Sequence, residues 1–194
     1  HGIPDGAFIA VFGGNVGAAS GADTVVEAWR DLQDLEDCYL LVAGAGELLD
    51  PCRELAAELR LERVRFQSPW LAADTADVLA AADVLVLPTR AAQAWASQPS
   101  KLISYMLAER PLIVGAPDGS DLAGVVRQAG CGLVVTPSDS GALAESVRRM
   151  RSLAASERTT MGKAGKAYAG EHFTEEVCLP AVLRVLESAV RRSR

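Results

Sequence analysis

Aromatic residues are scarce in this chain, at 5 % of its 194 residues, while hydrophobic residues reach 49 %. A core of that composition has to be built from Ala, Val and Leu, as in a sheet sandwiched between Ala-rich helices. The sequence has no block of about five or six basic residues, and its formal net charge is -6. The electrostatic footprint of a nucleic-acid-binding protein is therefore missing, although a small anionic ligand would need only a local site. No apolar run approaches the roughly 20 residues that span a bilayer, so no transmembrane segment is expected. Cys38, Cys52, Cys131 and Cys178 form no C-x-x-C pair and fall mostly within apolar segments. Buried thiols in a reducing, cytoplasmic compartment are expected, with no metal bound. The opening "HGIPDGAF" lacks the basic and apolar regions of a signal peptide. It reads as a cut within a longer chain, with a partner domain expected upstream.

The length suits one compact domain over residues 1–194. Six short apolar runs punctuate it: "FIAVFG" (8–13), "CYLLVAG" (38–44), "RVRFQS" (63–68), "DVLVLP" (83–88), "PLIVGA" (111–116) and "GLVVTP" (132–137). Their length, β-branching and flanking turn residues are those of fully buried strands. Helical patterns lie between them, with Val25, Val26, Trp29 and Leu32 on one face of the first and Leu55 and Leu59 on one face of the second. This alternation predicts an α/β fold: a doubly wound, mostly parallel six-stranded sheet, Rossmann-like, followed by C-terminal helices from residue 138 onward. Pro180 is expected to kink the last helix.

Ligands in such sheets bind beyond the carboxyl ends of the strands, so the informative loops are those that follow strands. The first, "GGNVGAASGAD" (13–23), has glycines at 13, 14, 17 and 21 but not the G-x-G-x-x-G spacing. It is either a ligand loop or a flexible connection in which Asn15 and Gly17 serve turn geometry. In "GAGE" (44–47), Gly44 and Gly46 either admit a close backbone approach or merely turn the chain. The third loop runs from Pro88, Thr89 and Arg90 into "SQPSKLISYML" (97–107). Pro99 suits a first helical turn, Ser97 or Ser100 can cap or donate, and Lys101 adds a full charge, which together make an anion seat. The alternative is an ordinary capped helix with Lys101 in solvent.

Taken in order, "FGGNVGAASGADTVVEAW", "LLVAGAGE", "VRFQSPW", "AADVLVLPT", "PSKLISYMLAERPLIVGAPDGSDLAGVVRQAGCGLVV" and "MGKAGKAYAGEHFTEEV" cover nearly the whole chain. They resemble the C-terminal, nucleotide-sugar-binding half of a GT-B glycosyltransferase, of the group 1 retaining type that builds bacterial surface polysaccharides. The resemblance implies a nucleoside diphosphate sugar donor, usually UDP-linked, held in a cleft against an N-terminal domain that binds a glycan or lipid-linked acceptor. It implies a donor-binding set of Gly13, Gly14, Asn15, Gly17, Gly44, Gly46, Ser68, Thr89, Pro99, Ser100 and Ser104. In that set the segment containing Ser68 runs past the base, and Lys101 is the catalytic charge beside the leaving diphosphate. No cofactor and no metal are implied, because helix dipole and basic side chains neutralise the diphosphate. It implies a cytoplasmic protein, with the full-length chain peripheral at the inner membrane surface.

The sequence departs from the family at four places. Two family glutamates, eight positions apart, are replaced by Ala96 and Ser104, and the phosphate-gripping Arg and Lys of the first loop by Asn15 and Ser20. Two readings follow: a donor-binding half of a transferase with Lys101 compensating, or a non-catalytic nucleotide-binding or scaffolding domain of the same fold. At the C-terminus, Val182, Leu183, Leu186, Ala189 and Val190 form an apolar helical face. In the resembled fold this helix crosses back onto the N-terminal domain. Without that domain the face is expected to be mobile or to mediate self-association.

Overall fold

The computed structural model describes residues 2–91, 95 and 99–192. The six apolar runs form six strands: β1 (Phe8–Gly13), β2 (Cys38–Ala43), β3 (Val64–Gln67), β4 (Val84–Leu87), β5 (Leu112–Gly115) and β6 (Gly132–Val135). All pair in parallel, in the order β3-β2-β1-β4-β5-β6. The helices between them are α1 (Ala22–Ala28), α2 (Leu49–Glu58), α3 (Thr75–Ala80), α4 (Lys101–Leu107) and α5 (Asp121–Ala129). Three more close the chain: α6 (Ser140–Ser152), α7 (Ala155–His172) and α8 (Glu175–Arg192). The predicted doubly wound α/β architecture is the one observed.

Burial on both faces explains the apolar runs of β1, β2, β4 and β5, whereas β3 and β6, expected to be fully buried, are mostly half-buried because they stand at the two edges of the sheet. On one face Ala10, Phe12, Leu40, Val42, Val84, Val86 and Ile113 pack against α1, α2 and α6. There Val25, Val26, Trp29 and Leu32 are fully buried, as their shared face required. On the other face Val11, Leu41, Ala43, Leu85, Leu87, Leu112 and Val114 meet α3, α4, α5 and α7. Cys38, Cys52 and Cys131 are buried in these layers, and desolvation pushes their thiols up to about 12, 11 and 11. Cys178 is exposed, so it departs from the expectation of a buried thiol, because α8 lies outside both layers.

Helix α7 is seated by close approach. A Cβ on Gly162 would stand 2.2 Å from the carbonyl oxygen of Glu109, and one on Gly165 would stand 3.0 Å from Cys131 Cβ. Helix α8 runs through Pro180 as one element and makes its main packing contact with α7. Val182, Leu183, Val185 and Leu186 are exposed, whereas the side chains of Ala189 and Val190 lie outside the described residues. No described helix is long and apolar enough to cross a membrane.

A helix so little covered has only its own hydrogen bonds to resist opening. In hydrogen exchange on the dilute chain, amides of residues 181–192 are therefore expected to exchange at least about a hundredfold faster than those of β1 and β4. Equal protection would show that α8 belongs to the core.

Candidate functional site

The strand order reverses direction between β1 and β4, and this switch point is where an open α/β sheet parts its loops to make a crevice. Only Ala10 and Val11 pair with β4, opposite Val84 and Leu85, so the two strands separate toward their carboxyl ends. The opening is a cavity of ≈ 320 Å³. Asn15, Ala19 and Ser20 wall it from the first loop, Leu87, Pro88 and Thr89 from the end of β4, and Pro99, Ser100 and Lys101 from the start of α4. A larger recess of ≈ 540 Å³ lies beyond β5 and β6, but its charged residues, Asp118 and Glu145, are both acidic.

Lys101 is the one charged side chain among the described residues lining the crevice. Its Nζ donates to the carbonyl oxygen of Asn15 at 3.2 Å and stands 4.3 Å from the centroid of the Phe12 ring. Gly14, at φ +117°, passes over the lysine stem so closely that a Cβ there would lie 2.6 Å from Lys101 Cε. Desolvation alone pushes the lysine down to about 8 from 10.5, with no carboxylate among the described residues to hold it charged. An ammonium in that state favours any anion that enters the crevice.

The first loop is fixed from several directions. The N–H of Gly14 donates to Ala43 and that of Val16 to Ala45, at 2.8 and 2.9 Å. Glu47 Oε1 accepts from the N–H of Ala18 at 3.0 Å, and Arg90 Nε donates to the carbonyl of Ala18 at 3.1 Å. Arg90 also pairs with Asp23 at 2.7 Å. Gly44 and Gly46 exist for this contact: Cβ atoms there would lie 1.9 Å from the Gly14 oxygen and 2.5 Å from the Val16 oxygen. They bring two backbones together and do not line the cavity.

Of the residues singled out in the sequence, Asn15, Thr89, Pro99, Ser100 and Lys101 converge on one cavity. Gly13 packs against Trp70 and Gly14 against the stem of Lys101 without lining the cavity, and Asn15 folds over Gly17, whose added Cβ would stand 3.0 Å from Asn15 Nδ2. Thr89 commits its hydroxyl to the carbonyl of Gly115 at 2.7 Å. Ser68 is exposed after β3 and Ser104 is exposed on α4, and neither lines the crevice. Two details of α4 differ from expectation. The helix starts at Lys101, so Pro99 precedes it and its carbonyl accepts from Leu102 at 3.0 Å. Ser100 occupies the N-cap in helical geometry without a side-chain cap bond, because its backbone is already turned into the helix. Ser97 and Ala96 lie outside the described residues. Sequence reasoning missed Glu47, Arg90 and Tyr105, which act on the backbone of the first loop, and Asp23, which pairs with Arg90; none carries a motif of its own.

The fold and crevice define a Rossmann-like α/β domain with a cationic switch-point site. More narrowly, the chain belongs to the group 1 glycosyl transferases, the family it matches over residues 7–152. It is 24% identical over 168 residues to the "Probable glycosyltransferase WbjE" of Pseudomonas aeruginosa, covering 87% of this chain and 41% of that one. The chain thus spans about two fifths of that relative's length. Among solved structures it is similar to Anabaena Alr3699/HepE, crystallised with UDP and glucose, with a TM-score of 0.75 at 18% identity over 94% of this chain and 48% of that one. It is also similar to the C-terminal domain of the group 1 family protein LpcC from Francisella tularensis, with a TM-score of 0.70 at 15% identity over 86% of each chain.

Proposed function

We propose that this chain is the C-terminal, donor-binding half of a retaining glycosyltransferase of bacterial surface-polysaccharide assembly. It holds a nucleoside diphosphate sugar, UDP-linked, at the switch-point crevice, while a glycan or lipid-linked acceptor is bound by an N-terminal half. The carrying observation is Lys101, a desolvated ammonium with no carboxylate partner among the described residues, lining the crevice against the backbone of Gly14. The likeness to a structure holding UDP and glucose, and to one that is a C-terminal domain, supports the reading.

The chemistry asked of this half is departure of the diphosphate. Charge builds on the leaving oxygens as the bond to the sugar's anomeric carbon breaks, and a positioned cation stabilises that charge more than it stabilises the bound donor. Lys101 supplies it without a metal ion. Asn15, Ser20 and Ser100 add hydrogen-bond groups around the same cavity. Since transfer also needs the acceptor half, this chain alone binds donor but does not turn it over.

Titration calorimetry on this chain tests the reading. UDP is expected to bind at least about tenfold more tightly than uridine, because one charge-assisted contact is worth that much. Equal affinities would overturn it. A second reading, a nucleotide-binding module without transfer, is favoured by one observation: no described residue lining the cavity is a carboxylate. Transfer from UDP-sugars by the full-length protein decides between the two.

A further inference from the structure

The β1–β4 ladder stops at Val11 and Leu85, although β4 continues to Leu87 in its pairing with β5. Where the two strands part, the backbone of Gly13 has no pairing on the β4 side, and an unpaired buried N–H and carbonyl would both be costly there. One hydroxyl satisfies the two of them. Tyr105 Oη accepts from the N–H of Gly13 at 2.7 Å and donates to its carbonyl at 2.9 Å. The side chain is almost wholly buried, and desolvation raises its phenol, which keeps the donated proton in place.

Tyr105 follows Lys101 by four residues on α4, so the two share a face of that helix. Lys101 touches the next two residues of the same loop, Gly14 through its stem and Asn15 through its ammonium. Trp70 closes the far side, since a Cβ on Gly13 would stand 2.6 Å from the end of its ring. The loop is thus held from beneath by one helix face at three successive residues.

We propose that Tyr105 is a positioning residue of the donor site: its hydroxyl replaces the pairing lost where β4 parts from β1 and sets the level at which Gly13 and Gly14 meet the phosphates. The inference rests on the donor-binding reading and assigns a role to a residue outside the cavity lining. Continued pairing of β4 with β1 in that place would close the crevice, and nothing in that place would let the loop sink.

The test compares Tyr105→Phe, which removes one oxygen, with Val147→Ala, which thins the core on the opposite face of the sheet. In Tyr105→Phe, UDP affinity is expected to fall about tenfold, the loss produced by one misplaced hydrogen bond. Uridine affinity should stay unchanged, and Val147→Ala should bind UDP like the parent. In parallel, the Gly13 amide of Tyr105→Phe should exchange about tenfold faster while β5 amides keep their rates. UDP affinity within twofold of the parent, or equal weakening of UDP and uridine, would overturn the proposal. A parent chain that binds neither UDP nor uridine would sink the donor reading instead. The Gly13 exchange rate would then decide the positioning role alone: selective acceleration upholds it and an unchanged rate refutes it.

Discussion

Gly44→Ala should cost this chain about 3 kcal/mol or more, at the upper end of what overpacking does to a rigid interior. For a chain of this size that is a drop of roughly 10 °C in the unfolding midpoint, at about 2–4 °C per kcal/mol. The added methyl would stand 1.9 Å from the carbonyl oxygen of Gly14 and 3.1 Å from Val16 Cγ2. Neither backbone has room to yield. Gly44 donates to the carbonyl of Gln67 at 3.0 Å, and Gly14 donates to Ala43 at 2.8 Å while riding over Lys101. Relief must therefore come from lifting the first loop off the second, which moves residues 14–16 away from the crevice. UDP binding should fall with stability, and below detection in calorimetry. The control is Gly124→Ala, where nothing lies within 4 Å of the added Cβ in the middle of α5. Removing a helix glycine there should stabilise the chain by up to about 1 kcal/mol. A Gly44→Ala chain with parental midpoint and UDP affinity would show that the two loops are not held by this contact.

The second large effect is a dependence on pH that has opposite signs for binding and for folding. Lys101 titrates at about 8 in the folded chain against 10.5 in the unfolded one, because burial disfavours its charge. Between these values the unfolded chain holds more protons, so the stability of the ligand-free chain rises with pH across this window. Binding runs the other way. A diphosphate beside the amine restores its affinity for a proton, and the terminal phosphate, with a second pKa of about 6, is already ionised there. UDP binding should therefore take up one proton above pH 8, and affinity should weaken by up to about tenfold for each pH unit. Lys101→Met keeps an apolar stem against Gly14 and removes the charge that stands over Phe12. It should bind UDP about 5- to 150-fold more weakly at pH 7, corresponding to about 1–3 kcal/mol for a charge-assisted hydrogen bond. Both slopes should vanish with it. Parental UDP affinity in Lys101→Met, or a parent whose affinity is flat from pH 7 to about 9.5, would return Lys101 to solvent.

The central strands were legible because burial on both faces leaves no polar position to obscure them: "CYLLVA" and "VLVL" allow no other reading beside their turn residues. The loops were legible as places, since topology alone sends residues 13–21, 88–91 and 99–101 to one edge of the sheet. What each residue does there was less so. Gly44 reads equally well as a turn or as a ligand contact until Gly14 is found against it. Tyr105 looks like one more apolar residue at helical spacing, between Leu102 and Met106. Its hydroxyl matters only because β4 parts from β1 after Leu85 while still pairing with β5, and where two strands part is fixed by their neighbours as much as by their own residues. Ser100 shows the reverse error. Its type suits a cap, but a cap bond needs extended backbone at that residue, and here the chain is already helical.

Helix α7 carries almost no apolar stripe, yet it sits against α4 at the start of β5. Its address is written in atoms that are not there, at Gly162 and Gly165. Hydrophobic faces drift freely under mutation, because one aliphatic residue substitutes for another at small cost. A face made of missing side chains has no such synonyms. In a saturation-mutagenesis profile position 162 should therefore accept glycine alone, and position 165 only glycine and, weakly, alanine. Lys163 and Lys166, on the outward turn of the same helix, should tolerate nearly every residue that keeps the helix intact.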